Sequence, residues 1–444
     1  MEKIFNAVDK HRALILDAEK HIWSTPETGY KEFKTSKYME DKFTELGYDI
    51  VRADGITGFF ADIDTGREGP TLLILGELDS VICPSHPSAD PITGAVHACG
   101  HHAQCAALLG IAAALKEPQM LDGLSGKIRL CAVPAEEFIE IEYRKRLIKE
   151  GKIKYCGGKS EFLYRGYFDG VDLAFMVHTG GNYAARKGSV GFVGKNIIYK
   201  GLASHAGGSP WAGKNALYAA TCGLNAANAL RETFKESDLI RFHPIITGGG
   251  DIVNAIPETV TIESYLRGKS FNAILNENRK INRALIGAAL SIGTNVEIID
   301  TPGYAPLIND DGMIEVAMEA AKKVMPDYNM PYYSDIGTGS TDMGDLSSIM
   351  PVVHPYAGGA SGKGHGNNYE IIDPEAACVT NAKWQVTMLT LLLQNGAERA
   401  KKIVSEYEAP FASKEEFLSY LDSLNSDGDR IIYNDDNSVS INLG

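Results

Sequence analysis

Two periodicities divide the chain. Up to about residue 60 the apolar positions recur at helical spacing, in Ala13-Leu-Ile-Leu-Asp-Ala-Glu-Lys-His-Ile-Trp23 and again from Thr35 to Leu46, which predicts amphipathic covering helices and turns. From Thr71 the pattern changes to short apolar runs bounded by turn residues: Leu72–Leu75, Ile128–Val133, Leu173–Val177 and Ile349–Val353. Ala103–Leu115, between the first two runs, is rich in strong helix formers. Strand, helix, strand implies an α/β domain with a mostly parallel sheet. After residue 187 the strands lengthen and alternate (Gly191–Tyr199, Val260–Leu266, Val296–Ile299), with helices at about Asn215–Glu232 and Asn272–Ile292. That order resembles a ferredoxin-like α+β module inserted into the first domain. The α/β pattern resumes near Pro306, with helices predicted at Gly312–Val324 and Glu375–Leu393. The expected division is therefore 1–187 and 306–444 for the first domain and 188–305 for the insertion.

Composition changes this picture little. A chain of 444 residues exceeds what one hydrophobic core organises. Hydrophobic residues at 44% and charged residues at 23% are ordinary for a globular protein. The net charge of -14 repels nucleic acid and anionic membrane surfaces, so neither is an expected partner. No stretch reaches ~18 uninterrupted apolar residues and the start carries no signal-peptide core, which predicts a cytoplasmic protein. Seven scattered cysteines make no disulfide framework. Cys99 differs from the rest because it stands two residues from His101 in a glycine turn that opens an apolar helix.

In an open parallel sheet, ligands gather beyond the carboxyl ends of the strands. Polar clusters stand at those places: Glu77-Leu-Asp79 after the first run, Glu136-Glu137 after the second, His178 after the third, and Cys99-Gly-His101 at the helix start. Thiolate, imidazole and carboxylate together suit zinc or a similar divalent ion. Cys99 and His101 cannot share a helix face, so they would approach metal from an extended turn, and a thiolate is able to bridge two ions. Glu136 and Glu137 point in opposite directions at a strand end, so one can bind metal while the other faces an attacking water as general base. His21, His86 and His243 have no such company and are read as structural; His97 is a candidate support for Cys99, and His354 is either a ligand or packing.

The ordered set His97-Ala-Cys-Gly-His101, Pro134-Ala-Glu-Glu137, a histidine about 40 residues on, and Gly201-Leu-Ala-Ser-His-Ala206 resembles the metal-dependent aminoacylase and amidohydrolase family of dinuclear metallopeptidases. That family includes hippurate hydrolases, auxin-conjugate hydrolases and the B subunit of p-aminobenzoyl-glutamate hydrolase. Trp23-Ser-Thr-Pro-Glu-Thr-Gly29, Asn254-Ala-Ile-Pro257, Arg267 and Ser340-Thr-Asp-Met-Gly-Asp345 extend the likeness over nearly the whole chain. The resemblance implies an α/β zinc-exopeptidase-like catalytic domain, of the phosphorylase/hydrolase-like type, interrupted by a lid and dimerisation domain. It implies two divalent ions, zinc or manganese, with Cys99, His101, Glu137, His178 and His365 as ligands, Cys99 bridging, and Glu136 as base. It also implies that His205 stabilises the oxyanion, that Asn254 and Arg267 hold the substrate, and that the protein is a homodimer hydrolysing a small amide. Three features depart from the family. His102 stands where an aspartate is usual, the segment 138–168 is longer, and the last ligand motif reads His365-Gly-Asn-Asn-Tyr369, with His354 as a rival ligand. His102 and that altered motif motivate a second reading, a non-catalytic metal-binding or regulatory homologue. A nucleotide-binding Rossmann unit lacks its Gly-x-Gly-x-x-Gly after the first strand.

Overall fold

Thr71–Glu77 is apolar on both faces and buried along almost its whole length, the mark of a strand covered on two sides. In the computed structural model, which describes residues 1–443, it is flanked by parallel strands on either side. The sheet order is Ile50–Arg52, Phe59–Asp64, Lys127–Val133, Thr71–Glu77, Leu173–Phe175, Val352–Val353. The last four are mutually parallel, and the first two add an antiparallel edge. The sheet is therefore mixed, within an α/β fold. The edge strands correct the expectation of helices and turns up to residue 60. Helices do fill Glu2–Lys10, Arg12–Trp23 and Phe33–Glu45, but Phe59-Phe-Ala-Asp-Ile-Asp64 alternates over too few residues to outweigh the helical signal before it. The run Ile349–Val353 shrinks likewise to a two-residue strand.

The helix His101–Leu115 has every residue buried, so it lies inside the fold rather than on it. Trp384, on the helix Asn381–Leu393, and Ile15 and Phe43 from the first helices share its core. These residues belong to a unit made of Met1–Gly188, Leu307–Gly337 and Thr341–Lys414.

Ser189–Pro306, Thr338–Ser340 and residues 415–443 form a second unit. Its sheet joins Gly191–Lys200, Thr259–Gly268 and Asn295–Pro302, all antiparallel, with Arg241–Phe242 and Ile245–Gly248 at the outer side of Thr259–Gly268. Helices Ala216–Ala229 and Phe271–Ile292 cover one face. Asn215 and Ser270 cap their first turns, and Gly293 at φ 72 ends the second. Residues past 414, expected in the first domain, run instead along the strand Asn295–Pro302. Asp300 N donates to Ser426 O at 2.8 Å, Arg430 N to Val296 O at 2.9 Å, and Asn295 Nδ2 to Ile431 O at 2.7 Å. A sheet edge needs such cover, and the pairing is too distant in sequence to read from periodicity. Among the described residues no helix is long and apolar enough to cross a membrane.

Candidate metal centre

The turn before the long helix depends on its glycine. Gly100 has φ +93, and a Cβ there would lie 2.3 Å from Tyr369 Oη and 3.0 Å from Thr179 Cβ. Only glycine fits between Cys99 and His101. His101 is fully buried, and its Nδ1 donates to the carbonyl of Asp79 at 2.9 Å, with Asp79 Oδ1 at 3.2 Å. That contact fixes Nε2 as the nitrogen left for a ligand. Nε2 makes no hydrogen bond, although Glu77 Oε2 lies 3.2 Å away.

Asp79 serves a second residue as well. Its Oδ2 accepts from the backbone N of Glu137 at 2.8 Å, so one side chain orients both the helix start and the end of the neighbouring strand. The turn Pro134–Glu137 is held elsewhere by Glu32 Oε1, which accepts from Ala135 N at 2.8 Å, and by Gly158 N, which donates to Ala135 O at 3.1 Å. Ala135 takes a left-handed backbone at φ 56, a strained conformation that these contacts enforce.

The sulfur of Cys99 lies 3.4 Å from His178 Nε2 and 3.3 Å from His365 Nε2. His365 Nε2 is in turn 2.9 Å from Glu137 Oε1. Three donor groups result, each with its ligand atoms within 4.8 Å: Cys99, His101 and His178; Cys99, Glu137 and His365; His101, Glu136 and Glu137. Cys99 and His101 each belong to two of them. His178 Nδ1 donates to Thr179 O at 3.0 Å, which leaves Nε2 bare toward the sulfur, and burial, then His101 and His354, push this imidazole down to about 3. It is neutral, as a ligand must be. Burial, then Glu137, push the Cys99 thiol well above its ordinary range in the protein alone. Burial, then Glu77, Glu137 and Asp342, push Glu136 up as well. For Glu137 burial works upward, but the contact with His365 outweighs it and the carboxyl is lowered. An unpartnered buried imidazole nitrogen and a mixed sulfur, nitrogen and oxygen set fit borderline divalent ions.

His354 joins none of these groups. It is buried, its Nδ1 donates to Met176 O at 2.9 Å, and its ring meets that of His178 edge-on at 5.7 Å. His102 also stands apart, packed between Trp23 at 4.9 Å and His97 at 5.3 Å, with Glu19 Oε1 3.4 Å from Nε2. His86 bonds Tyr369 O, and His21 stacks on Tyr38.

His205, Asn254 and Arg267 all lie in the second unit. His205 and Asn254 are exposed on two segments joined by the isolated bridge between His205 and Ala255, with Ala206 N donating to Asn254 O at 2.9 Å. His205 Nδ1 accepts from Gly207 N and Gly208 N, which leaves Nε2 to carry the proton. Arg267 donates to Ser340 Oγ at 2.8 Å.

The long segment 138–168 contributes residues the sequence reading did not single out for the site. It forms helices Ile141–Lys149 and Gly158–Tyr164. Arg144, fully buried, donates to Cys156 O and to Glu137 O. Lys159 is buried against Glu77 and Asp342. No local pattern marks Lys159, because its partners, Glu77 at the end of a strand and Asp342 just before a short helix, are distant in sequence.

Comparisons with known proteins identify the family. A model of peptidase family M20/M25/M40 matches residues 61–390. The chain is 30% identical over 352 residues to the human Xaa-Arg dipeptidase, covering 76% of this chain and 74% of that protein. It is 29% identical to the N-acetyl-L-cysteine deacetylase of Bacillus subtilis over 70% of this chain and 72% of that one. A solved Bacillus subtilis structure, described as a dinuclear metal binding peptidase from the M20 family, superposes with TM-score 0.65 at 20% identity over 87% of this chain and 99% of its own. The chain is accordingly a metal-dependent hydrolase of amide bonds, and it belongs to peptidase family M20/M25/M40.

Proposed function

We propose that the protein hydrolyses the amide bond of an N-acyl amino acid, an aminobenzoyl-glutamate-like conjugate or a dipeptide. Cys99, His101, Glu137, His178 and His365 hold two divalent ions, zinc or manganese, and Glu136 is the general base. The observation that carries this reading is the sulfur of Cys99, which stands between His178 and His365 and is shared by two donor groups. Shared thiolate and imidazole favour zinc, while the carboxylates admit manganese. When bound, such ions polarise the amide carbonyl and bring the pKa of a water toward neutrality.

Glu136 has the properties of the base. It belongs to the group with His101 and Glu137 but not to those containing Cys99. Burial and its acidic neighbours keep its proton affinity high, so it can take a proton from water and deliver it to the leaving amine. His205, an imidazole with its proton on Nε2, is suited to an oxyanion; Asn254 and the guanidinium of Arg267 are suited to a substrate carboxylate. A homodimer formed by the second unit is supported by the strand Ile245–Gly248, whose four residues are all exposed at a sheet side. The setting is cytoplasmic and the partner a small amide.

The test is turnover on a panel of N-acyl amino acids, aminobenzoyl-glutamate and dipeptides, with Glu136→Gln alongside. The variant is expected to keep its metal and lose kcat by on the order of 10³-fold. Full activity in Glu136→Gln would end the assignment of the base.

A further inference from the structure

A fourth group of acids lies beside the metal centre, and the reading above gives two of its members no role. Glu77, Glu136 and Asp342 each offer a carboxylate oxygen within 4.8 Å of the others, and all three are buried. An all-oxygen set of this kind suits a hard cation such as manganese, magnesium or calcium. A cation is already supplied by the chain. Lys159 Nζ lies 2.6 Å from Glu77 Oε1 and 2.5 Å from Asp342 Oδ1, and the lysine is fully buried. Its backbone N donates to Asp342 Oδ2 at 3.0 Å, so the same aspartate receives both the main chain and the side chain of one residue. Glu77 Oε2 accepts from Gln104 Nε2 at 3.0 Å and faces His101 Nε2 at 3.2 Å.

The lysine is delivered to this place by close packing. Lys159 is in the first turn of the helix Gly158–Tyr164, and a Cβ on Gly158 would sit 1.7 Å from the carbonyl oxygen of Pro134. That contact sets the start of the helix directly against the turn that carries Glu136.

We propose that the Lys159 ammonium is a permanent internal cation, filling the position that Glu77, Glu136 and Asp342 would otherwise give to an additional divalent ion. Glu77 and Asp342 are thereby kept from competing for the metal centre, and Glu136 is kept from binding a further ion. Lys159 touches no reacting atom and is a positioning residue. Only the consequence for Glu136 as base rests on the hydrolase reading above.

The experiment counts ions. Full-length wild type and Lys159→Met are equilibrated with excess Mn²⁺, freed of unbound metal, and analysed for manganese per chain. The variant is expected to hold one more ion per chain than wild type. Lys159→Met combined with Asp342→Asn is expected to return to the wild-type count, because the third carboxylate is gone. In the single variant kcat should fall by on the order of 10²-fold with KM within about threefold, as for an interaction lost mainly in the transition state. If Lys159→Met does not fold, Lys159→Gln, which keeps a hydrogen-bond donor but no charge, takes its place with the same expected extra ion. A folded variant of either kind holding the same number of ions as wild type would overturn the proposal. The wild-type count and Glu136→Gln bear on the earlier reading alone, so the two can fail separately.

Discussion

The two sides of the proposed metal centre are built differently. On the inner side, His101, Glu136 and Glu137 hang from a helix start and a strand end, are buried, and are braced by Asp79, Glu32 and the segment carrying Arg144 and Lys159. On the outer side, His365 arrives on a loop, with a left-handed backbone at φ 61 and a side chain 55% exposed. Its backbone N donates to Ala98 O at 2.7 Å, which ties the loop to the turn before Cys99. The contrast separates two tasks. Rigid elements fix geometry to fractions of an ångström, whereas a loop ligand leaves a path for exchange.

Removing one ligand from each side tests the contrast most strongly. His101→Ala takes away a residue shared by two donor groups and leaves its buried neighbours Glu77 and Glu137 without their imidazole. It is expected to abolish measurable turnover and to strip both ions during gel filtration. His365→Ala removes a residue from one group only, and is expected to retain one ion per chain. Metal analysis of the two variants decides the matter, and equal losses would erase the distinction between the sides.

Asp79→Asn asks how much of the inner side is bracing rather than ligation. The Asp79 carboxylate meets His101 Nδ1 through Oδ1 and Glu137 N through Oδ2, and an amide can accept on one side only, so a donor would be turned against one of them. The expected result is metal affinity weakened by roughly 10 to 100-fold with the ligands intact, as for other supports of metal-binding histidines. A competition titration with a chelator measures it.

How much of this was legible in the sequence follows the same division. Cys99-Gly-His101 is a local motif, so the turn and the helix it opens were readable from adjacent residues. The sheet was readable where runs were long and apolar, as at Leu72–Leu75 and Ile128–Val133, and not where strands were short, as at Ile50–Arg52. Glu77-Leu-Asp79 stood out as a strand exit, but which of its oxygens meets His101 depends on pairing between strands. His365 was named through family likeness alone, since nothing in His365-Gly-Asn-Asn-Tyr369 says that its loop reaches Cys99. Lys159 carried no signal because a buried lysine is defined by its partners, and here they lie 82 and 183 residues away. The tail beyond residue 414 was assigned to the wrong unit for the same reason.

A smaller effect concerns pH. Burial, then Glu77, Glu137 and Asp342, raise Glu136, which as the proposed base must be ionised to work. Activity is therefore lost as pH falls through a value above the ordinary carboxylate range, and this sets the acid limb of kcat/KM. Glu77→Gln removes one negative neighbour, lowers the proton affinity of Glu136 and should move that limb to lower pH. A limb that moves upward would mean that Glu77 acts on Glu136 through something other than its charge.

The smallest effect is expected at His354, and it bears directly on which histidine completes the outer side. His354 follows the strand Val352–Val353 and ends on the same side of the sheet as His178, so its place in the fold alone would suit a ligand. Its surroundings argue against that role, because it joins none of the donor groups. Nδ1 donates to Met176 O, and burial lowers the imidazole to about 4, so it sits neutral inside the protein without Cys99 or Glu137 for company. Losing that bond should cost about 1 to 2 kcal/mol of stability, the usual penalty for a buried acceptor left unpaired. His354→Gln should accordingly melt at a lower temperature yet bind metal within about tenfold of wild type, because its ring touches the centre only through His178. If His354→Gln instead lost an ion while His365→Ala kept both, the outer ligand would be the buried histidine, and the division between a braced inner side and an accessible outer side would not hold.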